Sequence, residues 1–189
     1  MREKRHEQII CAGFGGQGVM LMGRLIAAVA MRGGMEVSWL PSYGPEMRGG
    51  TANCQVVISD SPIGSPVISR NADTVLAMNL PSMRKFEGEL VPQGLMIYNS
   101  SLIETAPDRE DIRLAPIPAN EIANEIGNLK AVNIVMLGAY AELKGLLDPE
   151  EILNVLEETF GAAKSQFIPI NRKALERGVE AGKAVHAAV

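Results

Sequence analysis

Between an apolar run, Ile9-Ile10-Cys11-Ala12, and an apolar helix-compatible stretch from Val19 stands Gly13-Phe14-Gly15-Gly16-Gln17-Gly18, which fits the pattern G-x-G-x-x-G. Glycines there permit positive φ and close backbone approach, and the free N–H groups of a helix start attract phosphate. Gly13, Gly15, Gly16, Gln17 and Gly18 are therefore candidates for holding the phosphate of a cofactor. A tight strand-to-helix turn that needs glycine for packing alone would read the same way, so the motif by itself leaves both readings open.

The second candidate is Ser42-Tyr43-Gly44-Pro45-Glu46-Met47-Arg48-Gly49-Gly50. It follows the second expected strand and should emerge at the same sheet edge as the first loop, the carboxyl edge where parallel α/β sheets bind ligands. Tyr43, Glu46, Arg48, Gly49 and Gly50 join the candidate cofactor-binding set. Arg48 offers a forked donor to a phosphate or to a partner's carboxylate, with Glu46 to orient it. An exposed ion pair on a turn, worth little energy, is the competing reading.

A nicotinamide or flavin dinucleotide would also require an acidic residue about 20 positions on, at the end of the second strand, to hold a ribose hydroxyl. Glu36 opens that strand and Trp39-Leu40-Pro41-Ser42 closes it, so the phosphate cradle stands while the dinucleotide reading weakens.

Other polar residues carry less. His6 and His186 lie near the termini, where a solvated ring is expected. Asn79 and Asn99-Ser100-Ser101 follow strands and suit capping and turns. Met20, Met22, Met78 and Met136 suit core filling. Two cysteines, Cys11 and Cys54, are too few for a disulfide framework, a zinc site or an iron–sulfur cluster, and read as buried thiols. No metal-ligand spacing and no nucleophile–base constellation is present, so no catalytic residue is assigned.

The elements that must position these loops follow from periodicity and punctuation. Strands are expected at 7–12, 36–40, 51–59, 73–78 and 94–98, with an edge strand at 112–117. Helices are expected at 19–31, 81–89, 119–127, 132–144, 149–160 and 172–188. Pro41 should end the second strand. With only a glycine-rich loop between them, the second and third strands should pair antiparallel, since parallel neighbours need a longer crossover. Asp148 is an N-cap followed by Pro149 at the first helical position.

The chain has 189 residues, 47% apolar but 4% aromatic, a composition that favours a helix-covered sheet packed with aliphatic side chains. The expected fold is a three-layer α/β/α Rossmann-like arrangement, its mostly parallel sheet of about six strands including at least one antiparallel strand. One domain over 1–189 is expected, helical in its last third from about residue 119. A net charge of −4 without a basic stripe gives no basis for nucleic-acid binding. No apolar segment approaches a signal peptide or a membrane span, so a cytoplasmic chain is expected.

Taken together, residues 13–19 and 42–50 resemble the gamma subunit of 2-oxoacid:ferredoxin oxidoreductases, and the likeness runs on through Asn53 and Asp73 to Asn133–Ala139. The resemblance implies a non-redox subunit of an EC 1.2.7-type enzyme. Alpha and beta partners bind thiamine diphosphate with its Mg, the beta part carries an iron–sulfur cluster, and a delta subunit adds more where present. The complex would decarboxylate a 2-oxoacid onto CoA and pass electrons to ferredoxin. On this reading the glycine loops help receive CoA, and the isolated chain is inactive, with self-association through its uncovered faces allowed. A purely structural assembly module and an independent dinucleotide-binding reductase remain as alternatives, as does the identity of the 2-oxoacid.

Overall fold

The structure, a computed structural model, describes residues 5–42 and 51–187, with backbone alone at Thr51, Ala162 and Ala163. Six strands form one sheet: β1 (His6–Phe14), β2 (Glu36–Ser42), β3 (Thr51–Ser59), β4 (Ala72–Ala77), β5 (Leu90–Asn99) and β6 (Arg113–Ile117). Their order is β2-β3-β1-β4-β5-β6. β3 runs antiparallel to both its neighbours, β2 and β1, and the pairs from β1 to β6 are parallel. The sheet is thus mixed and mostly parallel, as expected. The position of β3, wedged between β1 and β2, is not readable from the sequence.

The helices are α1 (Val19–Arg32), α2 (Leu80–Phe86), α3 (Ala119–Ile126), α4 (Val132–Lys144), α5 (Pro149–Phe160) and α6 (Ile168–Ala187). Alternation along the strands divides the core. Ile9, Cys11, Cys54, Val56, Leu76 and Ile97 face α1 and the C-terminal helices, while Ile10, Ala12, Val57, Val75 and Met96 face α2 and the segments around Ile68 and Ile103. Helices cover both faces unequally: among the described residues, α2 is the one α-helix on its side.

α4 is buried along ten consecutive residues, Val132–Ala141, because the sheet lies on one side of it and α6 on the other. Close approach of α4 and α6 depends on glycine. A methyl group on Gly138 would collide with the Leu175 carbonyl oxygen, and one on Gly178 with the Val135 carbonyl oxygen. At the opposite sheet edge from the glycine turn, the buried Glu7 carboxylate accepts a 2.6 Å hydrogen bond from Thr74 Oγ1 and lies 2.9 Å from Lys144 Nζ. Burial pushes the Glu7 carboxyl up from its ordinary range, against the pull of those two partners.

Several boundaries differ from expectation: β1 runs on to Phe14 rather than ending at residue 12, α2 ends at Phe86 rather than residue 89, and three further differences have a local cause. Pro41 does not end β2, which continues to Ser42; β2 is an edge strand, where a missing N–H need not break a ladder. β5 starts at Leu90 rather than residue 94, because its register against β4 shifts between Ala72 and Thr74 and Gln93 adopts a φ of 63°. α6 starts at Ile168 rather than residue 172, since Pro169 falls in its first turn, where proline is tolerated. Elsewhere the agreement is close: β3, α4 and α5 have the expected bounds, and Asp148 Oδ1 caps α5 by accepting from Glu150 N at 2.9 Å. No helix of the described residues is long and apolar enough to cross a membrane.

Candidate functional site: the glycine turn and its cleft

β1 ends at Phe14 and α1 begins at Val19, so the turn between them lies at the carboxyl edge of β1. Gly13, Gly16 and Gly18 each have their own cause. Gly13 is buried, and a Cβ there would sit 2.8 Å from Gln17 Oε1 and 2.9 Å from both Met78 Cβ and Val19 Cγ1. Gly16 and Gly18 take φ of 92° and 76°, the left-handed region that other residues enter at a cost. Gly15 and Gly16 are exposed.

The turn is held from inside by the side chain of Gln17. Its Oε1 accepts from Phe14 N at 2.7 Å and from Asn79 Nδ2 at 2.8 Å, and Gln17 N donates to Phe14 O at 3.1 Å. The Phe14 N–H is therefore engaged within the turn and not offered to a ligand. What remains open is the start of α1: Gly18 at its N-cap makes no side-chain cap, and no acidic residue stands in the first turn. Uncapped N–H groups and the positive end of the helix dipole favour an anion there.

Tyr43, Glu46, Arg48, Gly49 and Gly50 lie outside the described residues. The strand ends that bracket them do not: Ser42 on β2 pairs with Asn53, which pairs with Ala12 on β1, and Thr51 pairs with Phe14. Ser42 and Thr51 thus stand at the same sheet edge as the end of β1.

Beside the glycine turn opens a cleft of about 640 Å³, floored by Gly16–Gly18, Leu21 and Met78 and walled by the starts of α4 and α6 and the end of α5. This size is within the usual range of small-molecule sites. The expected residues Gly16, Gln17 and Gly18 line it, whereas Gly13 and Gly15 do not. Asn120, Asn128, Lys130, Lys164 and Asn171 line it as well and were not anticipated from sequence; Asn133, noted there only within the resemblance, joins them. One signal pointed toward Asn133: it interrupts an otherwise apolar run, Val132 to Leu137. Asn79 caps α2, accepting from Ser82 N at 2.9 Å, and His6 and His186 are exposed, as expected.

Cys11 and Cys54 are buried free thiols paired directly across β1 and β3. Among the described residues no group of three or more His, Cys, Asp or Glu could hold a metal ion.

A mixed sheet with helices on both faces, an uncapped helix start and a cleft at its carboxyl edge defines an α/β domain of Rossmann-like architecture. The model of the family described as pyruvate ferredoxin/flavodoxin oxidoreductase matches residues 8–181, and the chain belongs to that family. It is 40% identical over 180 residues to the ketoisovalerate oxidoreductase subunit VorA of Methanothermobacter marburgensis, covering 94% of this chain and 37% of that protein. It is 31% identical over 185 residues to the 2-oxoglutarate synthase subunit KorC of Methanocaldococcus jannaschii, covering 96% of this chain and 97% of that one. Among solved structures, 2-oxoglutarate:ferredoxin oxidoreductase from Magnetococcus marinus, with 2-oxoglutarate, coenzyme A and succinyl-CoA bound, superposes with a TM-score of 0.87 at 28% identity. That match covers 96% of this chain and 32% of the other. The keto/oxoacid ferredoxin oxidoreductase gamma subunit of Geobacter sulfurreducens gives 0.79 at 29% identity, over 94% and 99%. The chain spans just over a third of the VorA relatives it matches and nearly all of KorC.

Proposed function

We propose that this chain is the gamma component of a 2-oxoacid:ferredoxin oxidoreductase complex that converts a 2-oxoacid and CoA to acyl-CoA and CO2, with electrons passed to ferredoxin. The observation that carries this reading is the near full-length match, in both directions, to a separate gamma subunit. The glycine turn takes part in receiving CoA: the open start of α1 suits its phosphates, and Arg48, in the segment between Ser42 and Thr51, supplies charge for them. Support for CoA as the ligand comes from the Magnetococcus marinus enzyme, whose structure holds it.

The chain's own residues do not suit the redox cofactors of such a complex. A four-iron cluster needs four thiolates, and the two cysteines here face each other inside the sheet. Thiamine diphosphate, Mg and the iron–sulfur clusters belong on alpha, beta and delta partners, with the complex in the cytoplasm. Purified alone, the chain gives no 2-oxoacid- and CoA-dependent reduction of a viologen dye; turnover without added subunits would refute the assignment. In the assembled complex, Arg48→Ala raises the KM for CoA without raising that for the 2-oxoacid.

The alternative of a dinucleotide-binding reductase loses further ground. With β3 between β1 and β2, the tip of β2 is two strand spacings, roughly 10 Å, from the glycine turn. A ribose-holding acid there would be out of place even if the sequence supplied one.

A further inference from the structure

Cys11 and Cys54 are the chain's two cysteines, and the fold sets them directly opposite each other on the antiparallel strands β1 and β3. Both belong to the core on the α1 face of the sheet. Opposed residues of an antiparallel pair have Cα atoms about 4.5–5.5 Å apart, inside the range of about 4.4–6.8 Å that disulfides span. The two thiols are thus placed for a bond between them with no change of register.

Their surroundings differ. Cys54 Sγ lies over Gly23 of α1, where a methyl group would collide with it, and the indole Nε1 of Trp39 reaches the same space, 3.3 Å from that methyl position. The Cys54 thiol donates to Val19 O at 3.5 Å. A hydrogen bond from the Cys11 thiol holds Cys54 below the ordinary thiol range, and the N–H groups of Trp39 and Gly23 act in the same direction, against burial. The same bond, together with burial, pushes Cys11 well up. Of the pair, Cys54 is the one whose thiolate is favoured, and the thiolate is the form that reacts.

Access comes from one side. Both sulfurs are buried, but Trp39 is 36% exposed and stands on β2, the edge strand that joins the sheet through β3 alone. An edge strand opens locally at less cost than the middle of a sheet, and movement of Trp39 with β2 uncovers Cys54 before Cys11, which lies on β1 between β3 and β4. Core filling alone does not require the two thiols to be opposed, nor one of them to carry N–H donors.

We propose that Cys54 is a modification site for hydroperoxides and that Cys11 resolves the product to a Cys11–Cys54 disulfide. The Cys54 sulfur attacks one oxygen of the hydroperoxide, the O–O bond breaks, and the alcohol leaves, or water in the case of hydrogen peroxide, with Cys54 now a sulfenic acid. The Cys11 sulfur then attacks the Cys54 sulfur, the S–O bond breaks, and hydroxide departs as water with the Cys11 proton. Two thiols have lost two electrons and two protons, and the hydroperoxide has taken both. A dithiol returns the pair to its reduced form by exchange. This site does not rest on the CoA reading.

The test treats the reduced, folded full chain with hydrogen peroxide, with and without dimedone, which traps sulfenic acid, and locates the products by peptide mass. Met31, 64% exposed, is oxidised alongside and measures the dose. Without dimedone, a peptide pair joined through Cys11 and Cys54 is expected, and dithiothreitol separates it. With dimedone, the adduct on Cys54 should exceed that on Cys11 by about tenfold or more, and unfolding in urea should abolish the preference. Cys11→Ala should stop at the Cys54 sulfenic acid. Both thiols intact once half of Met31 is oxidised, an adduct mainly on Cys11, or the same preference in urea would each overturn the proposal. These wild-type outcomes decide it even where Cys11→Ala fails to fold.

Discussion

Gln17 and Asn79 are joined by a 2.8 Å hydrogen bond that links the turn before α1, on one face of the sheet, to the cap of α2, on the other. The carbonyl that accepts it also accepts from Phe14 N, so one oxygen fixes the shape of the turn and its attachment across the sheet edge.

Gln17→Ala removes that acceptor and leaves two donors unmatched, one of them on the nearly buried Asn79. The expected loss is about 1–3 kcal/mol in urea unfolding. Gln17→Glu keeps the acceptor, so its midpoint stays close to wild type while its charge raises the KM for CoA in the complex. Equal loss of stability in both variants would show that the carbonyl is not what holds the turn.

Gly18→Ala forces a Cβ to a φ of 76° and to 2.5 Å from Asn133 Nδ2. A destabilisation of about 1–2 kcal/mol is expected, beyond that of Gly64→Ala, where the added methyl meets nothing within 4 Å. Thermal denaturation of the two variants side by side measures the difference.

Gly178→Ala sets a methyl against the backbone of α4, which has no flexible side chain to yield. A cost of about 3 kcal/mol follows, with α4 and α6 forced apart. Amide hydrogen exchange should show the loss concentrated in those two helices; a uniform loss over the sheet would contradict this packing.

Glu7 governs a dependence on pH. Its carboxyl is raised in the folded protein, so folding favours its protonated form. The associated stability is present below the unfolded value near 4.5 and is lost as pH rises through the higher folded value. Glu7→Gln does not titrate, so wild type should lose stability relative to this variant between about pH 4 and pH 7. Urea midpoints at the two ends of that window give the sign.

The sequence revealed what depends on neighbours along the chain. Gly13 to Gly18 marked the turn, Asp148-Pro149 the start of α5, and the short link from Ser42 to Thr51 the antiparallel β2–β3 pair. What it concealed depends on partners distant in sequence. Nothing local tells β3 to pair with β1 as well as β2. The cleft draws on Gln17, Asn133 and Asn171, residues brought together by the stacking of α1, α4 and α6. Gln17 shows the limit most clearly: its side chain, rather than its N–H alone, turned out to organise the motif, through a bond to Asn79 sixty-two positions away.

The wedged strand also bears on the order in which the molecule assembles. β2 touches the sheet through β3 alone, so it has no template until β3 has aligned along β1. Closure of that long excursion from Phe14 to Thr51 must precede the zipping of the outer ribbon. The outer edge then matures late, after the parallel half has a scaffold to grow upon, and substitutions confined to Glu36–Ser42 should speed unfolding while leaving the refolding rate nearly unchanged.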